Sequence, residues 1–134
     1  MQNFPRMHVS LYVSDIEATT QFYTQLFVIQ PSKRREGYVK WNLENPALII
    51  SFVQNPEKVQ AKFGHLGFQL ETQVELTQRR AAALAAGMPV RDEVDVNCCY
   101  ANADKAWVTD PDGYEWELYY FHEDVEFNDP HYAM

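Results

Sequence analysis

The sequence predicts an α+β fold assembled from a diverged internal repeat, and three observations carry that prediction. Two segments, His8-Val9-Ser10-Leu11-Tyr12-Val13 and His65-Leu66-Gly67-Phe68-Gln69-Leu70, each open on histidine and alternate at period two, as half-buried strands do. Each is followed by a helix-start signal and then by apolar residues at helical spacing. Each half closes with strand-like runs separated by turn residues.

Taken in order, the first strand leads into Ser14-Asp15-Ile16-Glu17, which reads as a capping box, and Ile16, Thr19, Phe22, Tyr23, Leu26 and Phe27 then share one helical face. Strand-like runs follow at Tyr38 to Leu43 and Ala47 to Val53, parted by Glu44-Asn45-Pro46. The stretch from Asn55 to Lys62 is the expected linker. In the second half Thr72-Gln73-Val74-Glu75 is again a capping box, and the alanine-rich helix runs to Gly87, where Met88-Pro89 prevents its continuation. A loop over Gly87 to Asn97 then introduces the remaining strands, at Cys99-Tyr100-Ala101, Ala106 to Thr109 and Glu115 to Phe121, with turns at Asn102-Ala103-Asp104 and Asp110-Pro111-Asp112-Gly113. Residues 122–134 read as a polar tail in which His122 and His131 are solvated. The whole chain, 1–134, is expected to be one domain with repeat modules at about 6–54 and 63–121.

Composition narrows the function classes. With 134 residues, 46% of them hydrophobic, the chain can bury a core without disulfides or structural zinc. A net charge of -8 with eleven scattered basic residues offers no cationic face for nucleic acid phosphates. The opening Met1-Gln2-Asn3-Phe4-Pro5-Arg6 has neither the charge nor the apolar core of a signal peptide, and no run approaches a membrane span. A cytoplasmic protein with reduced thiols, no membrane partner and no nucleic acid partner is the expectation.

Strand alternation groups the polar side chains. His8, Ser10 and Tyr12 share a face opposite Val9, Leu11 and Val13, while His65, Gly67 and Gln69 oppose Leu66, Phe68 and Leu70. On the last strand Glu115, Glu117, Tyr119 and Phe121 oppose Trp116, Leu118 and Tyr120. Each greasy face suits a covering helix. The polar faces suit a cavity in which two histidines and one glutamate meet at a metal, a donor set that leaves positions open and fits iron(II) handling dioxygen. Zinc, nickel, cobalt or manganese fit the same donors.

Cys98 and Cys99 are the only cysteines, and they are adjacent. Consecutive Cα atoms lie about 3.8 Å apart, whereas a disulfide prefers roughly 5.5 Å, so the pair makes a poor disulfide. It makes a good two-pronged soft ligand. Thiolates are required for such binding, so it should strengthen with pH or rely on local help, for which Lys105 is a candidate.

These residues carry a resemblance. Val13-Ser14-Asp15-Ile16-Glu17, Phe22-Tyr23, His65-Leu66-Gly67 and Asp110-Pro111-Asp112-Gly113-Tyr114-Glu115-Trp116-Glu117 resemble the vicinal oxygen chelate superfamily of glyoxalase I, fosfomycin and bleomycin resistance proteins and extradiol dioxygenases. The resemblance spans residues 6 to 121. It implies two βαβββ modules forming an open eight-stranded mixed barrel with flanking helices around a divalent metal, often in a homodimer. It also places the metal glutamate four residues after the turn glycine, at Glu117, giving His8, His65 and Glu117 as catalytic metal ligands. A glyoxalase would need a further ligand from Ala47 to Val53, which holds no carboxylate.

Asn97-Cys98-Cys99-Tyr100-Ala101, followed by Asp104-Lys105-Ala106-Trp107-Val108-Thr109, is similar to the carbon-arsenic lyases and cadmium-induced proteins of arsenic operons. That similarity implies an iron(II)- and dioxygen-dependent enzyme acting on small trivalent organoarsenicals, with Cys98, Cys99, Tyr100 and Lys105 at the substrate. Tyr12, Tyr38 and Trp107 are further pocket candidates. Sequestration of cadmium or arsenite without turnover, and a glyoxalase or dioxygenase activity on another organic substrate, stay open as alternatives.

Overall fold

A computed structural model describes residues 2–98 and 101–124, with the backbone alone at 95–98, 101–102 and 123–124. Its elements run β1 (Met7–Val13), α1 (Ile16–Phe27), β2 (Lys33–Arg35), β3 (Tyr38–Leu43), β4 (Leu48–Gln54), β5 (Leu66–Leu70), α2 (Gln73–Ala85), β6 (Val90–Cys98), β7 (Ala101–Thr109) and β8 (Glu115–Asp124). The repeat is therefore two βαβββ modules, the α+β architecture expected. They form two compact units that divide between Ala61 and Lys62. Neither helix is long and apolar enough to cross a membrane.

In the first unit the sheet order is β1-β4-β3-β2, with β1 parallel to β4 and the other pairs antiparallel. Helix α1 packs on β3 and β4. Beneath it Val13, Val39, Trp41, Ile50 and Phe52 are fully or almost fully buried. Tyr23 stacks on Phe52 with ring centroids 4.3 Å apart and contacts Trp41, whose Nε1–H donates to the Ile29 carbonyl at 2.9 Å. Burying five large side chains of this kind contributes on the order of 10 kcal/mol before entropy is counted, which explains why Lys33-Arg34-Arg35, with no apolar pattern of its own, is still recruited as the edge strand β2.

In the second unit the order is β5-β8-β7-β6, with β5 parallel to β8. Helix α2 covers the face bearing Leu70, Trp116 and Leu118, all buried. Its Arg80 clamps Asp92 of β6 through both carboxylate oxygens, at 2.7 and 2.6 Å, and this hydrogen bonding holds the Asp92 carboxyl below its usual range.

Several local readings change. The cap of α1 is Asp15, not Ser14: its Oδ1 accepts from Glu17 N–H at 3.0 Å and Ala18 N–H at 3.3 Å. Thr72 caps α2 as expected, accepting from Glu75 N–H at 3.1 Å, while the Glu75 carboxylate reaches back to Glu71 N–H at 3.3 Å. Residues 90–98 are strand, not loop, and 101–109 form one unbroken strand in place of a turn at Asn102-Ala103-Asp104. The cross-strand ladder overrides weak local turn propensity there, because Arg91, Glu93, Lys105 and Trp107 all gain partners across it. β8 continues to Asp124, so the polar tail begins later than 122 and His122 lies on a strand.

The turn before β8 is as expected and tightly held. Asp110 is buried, and its Oδ1 accepts from Asp112 N–H at 2.9 Å and Tyr114 N–H at 2.8 Å, while Gly113 supplies a φ of 94°. The helix ends differ. α2 closes with Gly87 at φ 79°, Gly87 N–H bonding Leu84 O and Met88 N–H bonding Ala83 O, both at 3.0 Å, a paired cap of the kind glycine favours. α1 instead places Val28 at φ 58°, with 77% of it exposed.

A β-branched residue pays for that left-handed conformation with no packing in return. Val28→Asn is expected to raise stability by roughly 1 kcal/mol, seen as a higher denaturant midpoint at unchanged slope. Asp110→Ala removes two hydrogen bonds to a buried carboxylate and is expected to cost about 2–3 kcal/mol in the same measurement.

Candidate functional site

The non-helical face of each sheet carries the polar residues. In the first unit His8, Ser10 and Tyr12 are exposed on β1, and their β4 register partners are Ile49, Ser51 and Val53. His8 thus stands at the start of an edge strand with its side chain away from the α1 core.

In the second unit the site residues are close together. β5 runs beside β8 with Gly67 opposite Glu117, and β8 runs beside β7 with Trp107 opposite Glu117 and Tyr119 opposite Lys105. His65, which immediately precedes β5, places Nε2 3.3 Å from Glu117 Oε1. A methyl group at Gly67 would collide with the Cγ and carbonyl oxygen of Glu117. The bare glycine is what lets the glutamate lie flat across β5 toward His65.

The other carboxylate oxygen, Oε2, takes an ion pair from Lys105 Nζ at 2.9 Å. Lys105 and Glu117 side chains retain only 9% and 13% of their exposure. Lys105 Nζ also sits 5.7 Å from the ring centroids of both Trp107 and Tyr119, within the range of cation–π attraction. Trp107 is buried, meets the His65 ring edge-on at 4.9 Å, carries the Arg91 guanidinium over its face at 5.1 Å, and donates from Nε1 to Glu93 Oε1 at 2.7 Å. Burial, and then the neighbouring Glu117 charge, push the Tyr119 phenol above its usual pKa. Glu115 lies on the same face and faces Arg91 Nη2 at 3.4 Å.

Two donors that each bind one ion at about 2.0–2.2 Å lie roughly 3 Å apart when their bonds are near perpendicular, so a His65–Glu117 separation of 3.3 Å fits shared ligation of a divalent metal. Among the described residues no three His, Cys, Asp or Glu side chains form a complete metal cluster. The second unit supplies this pair, and His8 belongs to the other unit.

Cys98 ends β6 opposite Ala101, the first residue of β7; its side chain, Cys99 and Tyr100 lie outside what the structure describes. The register gives the position of the Cys98 backbone relative to Glu117. Six residues of β7 separate Ala101 from Trp107, the partner of Glu117, which at about 3.3 Å per residue is roughly 20 Å along the strand. The ladders shift register between Glu93 and Val96 on β6 and between Asn102 and Ala103 on β7, both on the stretch between the cysteine end of the hairpin and the Glu117 level.

On the α2 side of this sheet His122 Nε2 lies 3.1 Å from Asp104 Oδ1, and Gln73 Nε2 donates to Asp104 Oδ2 at 2.8 Å. His122 is a partner of a buried carboxylate and not a tail residue. The sequence signal was its parity: 122 shares a face with 116, 118 and 120, the face that α2 covers.

The Glyoxalase/Bleomycin resistance protein/Dioxygenase superfamily model matches residues 7–118. The chain is 37% identical over 125 residues to the "Trivalent organoarsenical cleaving enzyme" of Bacillus sp. (strain MD1), covering 92% of this chain and 78% of that one. It is 34% identical over 114 residues to the "Cadmium-induced protein CadI" of Mycobacterium bovis, covering 85% of this chain and 74% of that one. Among solved structures, a glyoxalase/bleomycin resistance protein/dioxygenase from Alicyclobacillus acidocaldarius superposes with a TM-score of 0.72 at 13% identity, covering 92% of this chain and 96% of that one; that likeness concerns the fold alone. A doubled βαβββ chain in which a histidine just before β5 meets a glutamate of β8, matched by the family model over residues 7–118, belongs to the glyoxalase/bleomycin resistance protein/dioxygenase superfamily.

Proposed function

We propose that this protein is an iron(II)-dependent, dioxygen-using carbon-arsenic lyase acting on trivalent organoarsenicals such as methylarsenite or reduced aromatic arsenicals. The observation that carries the reading is that β6, the strand that Cys98 ends, belongs to the same sheet as the strands that bring His65 and Glu117 together. The similarity to a protein named for cleaving trivalent organoarsenicals supports the substrate class.

In this reading His8, His65 and Glu117 hold the metal. Iron(II), when bound, supplies the one-electron chemistry that allows dioxygen to react with a closed-shell substrate. The thiols of Cys98 and Cys99 displace both hydroxyls of methylarsenite as water, leaving arsenic bound to two sulfurs and to its methyl group. Tyr100 borders the organic substituent. The overall change balances: methylarsenite and dioxygen become arsenite and formaldehyde, with carbon oxidised, oxygen reduced and arsenic remaining trivalent. Anchoring the arsenical converts an encounter into an intramolecular event.

The need for two reduced thiols suits a reducing compartment such as the cytoplasm.

Iron-reconstituted protein incubated in air with methylarsenite is expected to release arsenite and formaldehyde in equal amounts. Stoichiometric arsenical binding with no formaldehyde would indicate sequestration instead. Cys98→Ser or Cys99→Ser is expected to abolish turnover at unchanged iron content, and full activity in either variant would remove the thiols from the mechanism. Gly67→Ala forces Glu117 off β5, so iron affinity measured by chelator competition is expected to fall about 10–100-fold, the range typical when the support of a metal ligand is lost.

A further inference from the structure

We infer that Lys105 is a positioning residue that occupies the second carboxylate oxygen of Glu117 and so restricts this glutamate to ligating a metal through one oxygen. The inference rests on the proposal that Glu117 is a metal ligand, and it concerns how it ligates.

Glu117 divides its two oxygens. Oε1 faces His65 Nε2 at 3.3 Å, and Oε2 holds Lys105 Nζ at 2.9 Å. A bidentate carboxylate needs both oxygens on the ion, which would crowd a dication against the ammonium already held on Oε2 in a charge pair shielded from water on both sides, 9% and 13% exposed. Removing the partner of such a pair is far more costly than removing that of an exposed one.

The ammonium has little freedom to move aside. It lies 5.7 Å from the Trp107 and Tyr119 centroids alike, and both rings are themselves held, Trp107 Nε1–H by Glu93 at 2.7 Å and Tyr119 Oη by Gln69 Oε1 at 3.4 Å. Lys105 sits opposite Tyr119 and diagonal to Glu117, so its side chain must lean along the sheet to reach Oε2, a reach well within the diagonal spacing of paired strands. Gly67 restrains Glu117 from the other side, because only the absence of a side chain there permits its present position. One carboxylate is thereby fixed between a bare glycine, an imidazole and an ammonium. The consequence is an additional open coordination position, which a bidentate glutamate would fill.

The test loads the full chain with Co(II) and reads the splitting between the antisymmetric and symmetric carboxylate stretches in the infrared difference spectrum, with the d–d absorption intensity as a second measure of coordination number. Wild type is expected to show the wide splitting of one-oxygen ligation, lost in Glu117→Gln. Lys105→Met is expected to narrow the splitting and weaken the d–d bands as a further donor atom enters, and Lys105→Arg to restore the wild-type spectrum. A narrow splitting in wild type, or an unchanged spectrum in Lys105→Met, overturns the inference without any need for a turnover assay. Failure of wild type to bind Co(II) at one equivalent, or a spectrum indifferent to Glu117→Gln, overturns the metal site itself and this inference with it.

Discussion

The two-residue period of the strands divides every sheet face in this protein between a helix and the site. Once α1 lies over Val39, Trp41, Ile50 and Phe52, and α2 over Leu70, Trp116 and Leu118, alternate residues have no option but the opposite face. His8, Ser10 and Tyr12 are placed by that exclusion in one unit, and Gly67, Lys105, Trp107, Glu117 and Tyr119 in the other. Hydrophobic burial against the helices thus fixes the register of the chemistry. A slip of one residue on β8 would send Glu117 into the core and Trp116 out of it.

Within the second unit the carboxylate of Glu117 is the hub. A glutamate this shielded would be costly without partners, and it has them in Lys105 and in the nearby His65 ring. Those partners are in turn restrained by aromatic contacts and by Glu93. The result is a His65–Glu117 pair held in place by surrounding contacts, the kind of support on which ligand geometry generally depends. The buried Asp110 turn serves the same end from a distance, since it sets where β8 begins and hence which residue faces Gly67.

Cys98 ends β6 at the opposite extreme of the same ladder from the Glu117 level, and the register shifts of β6 and β7 lie between the two.

Much of this was legible in the sequence: the repeat, the helices, the strand faces, and Asp110-Pro111-Asp112-Gly113 as the turn that aims Glu117, because each depends on local periodicity or on turn chemistry that a few consecutive residues encode. The adjacency of Cys98 and Cys99 was equally plain. What the sequence alone left open were features set by partners distant along the chain. Lys33 to Arg35 became a strand only because β3 offered an edge, residues 90–98 and 101–109 became a hairpin through cross-strand partners, and His122 was drawn onto a strand beside Asp104. Lys105 reads as a helper for the thiols, and the sheet also turns it toward Glu117, twelve residues away in the chain and 2.9 Å away in space. Local propensity can name which residues bear the chemistry, but pairwise energies between side chains far apart in sequence exist only after the ladder has formed, and they decided what each charged group holds.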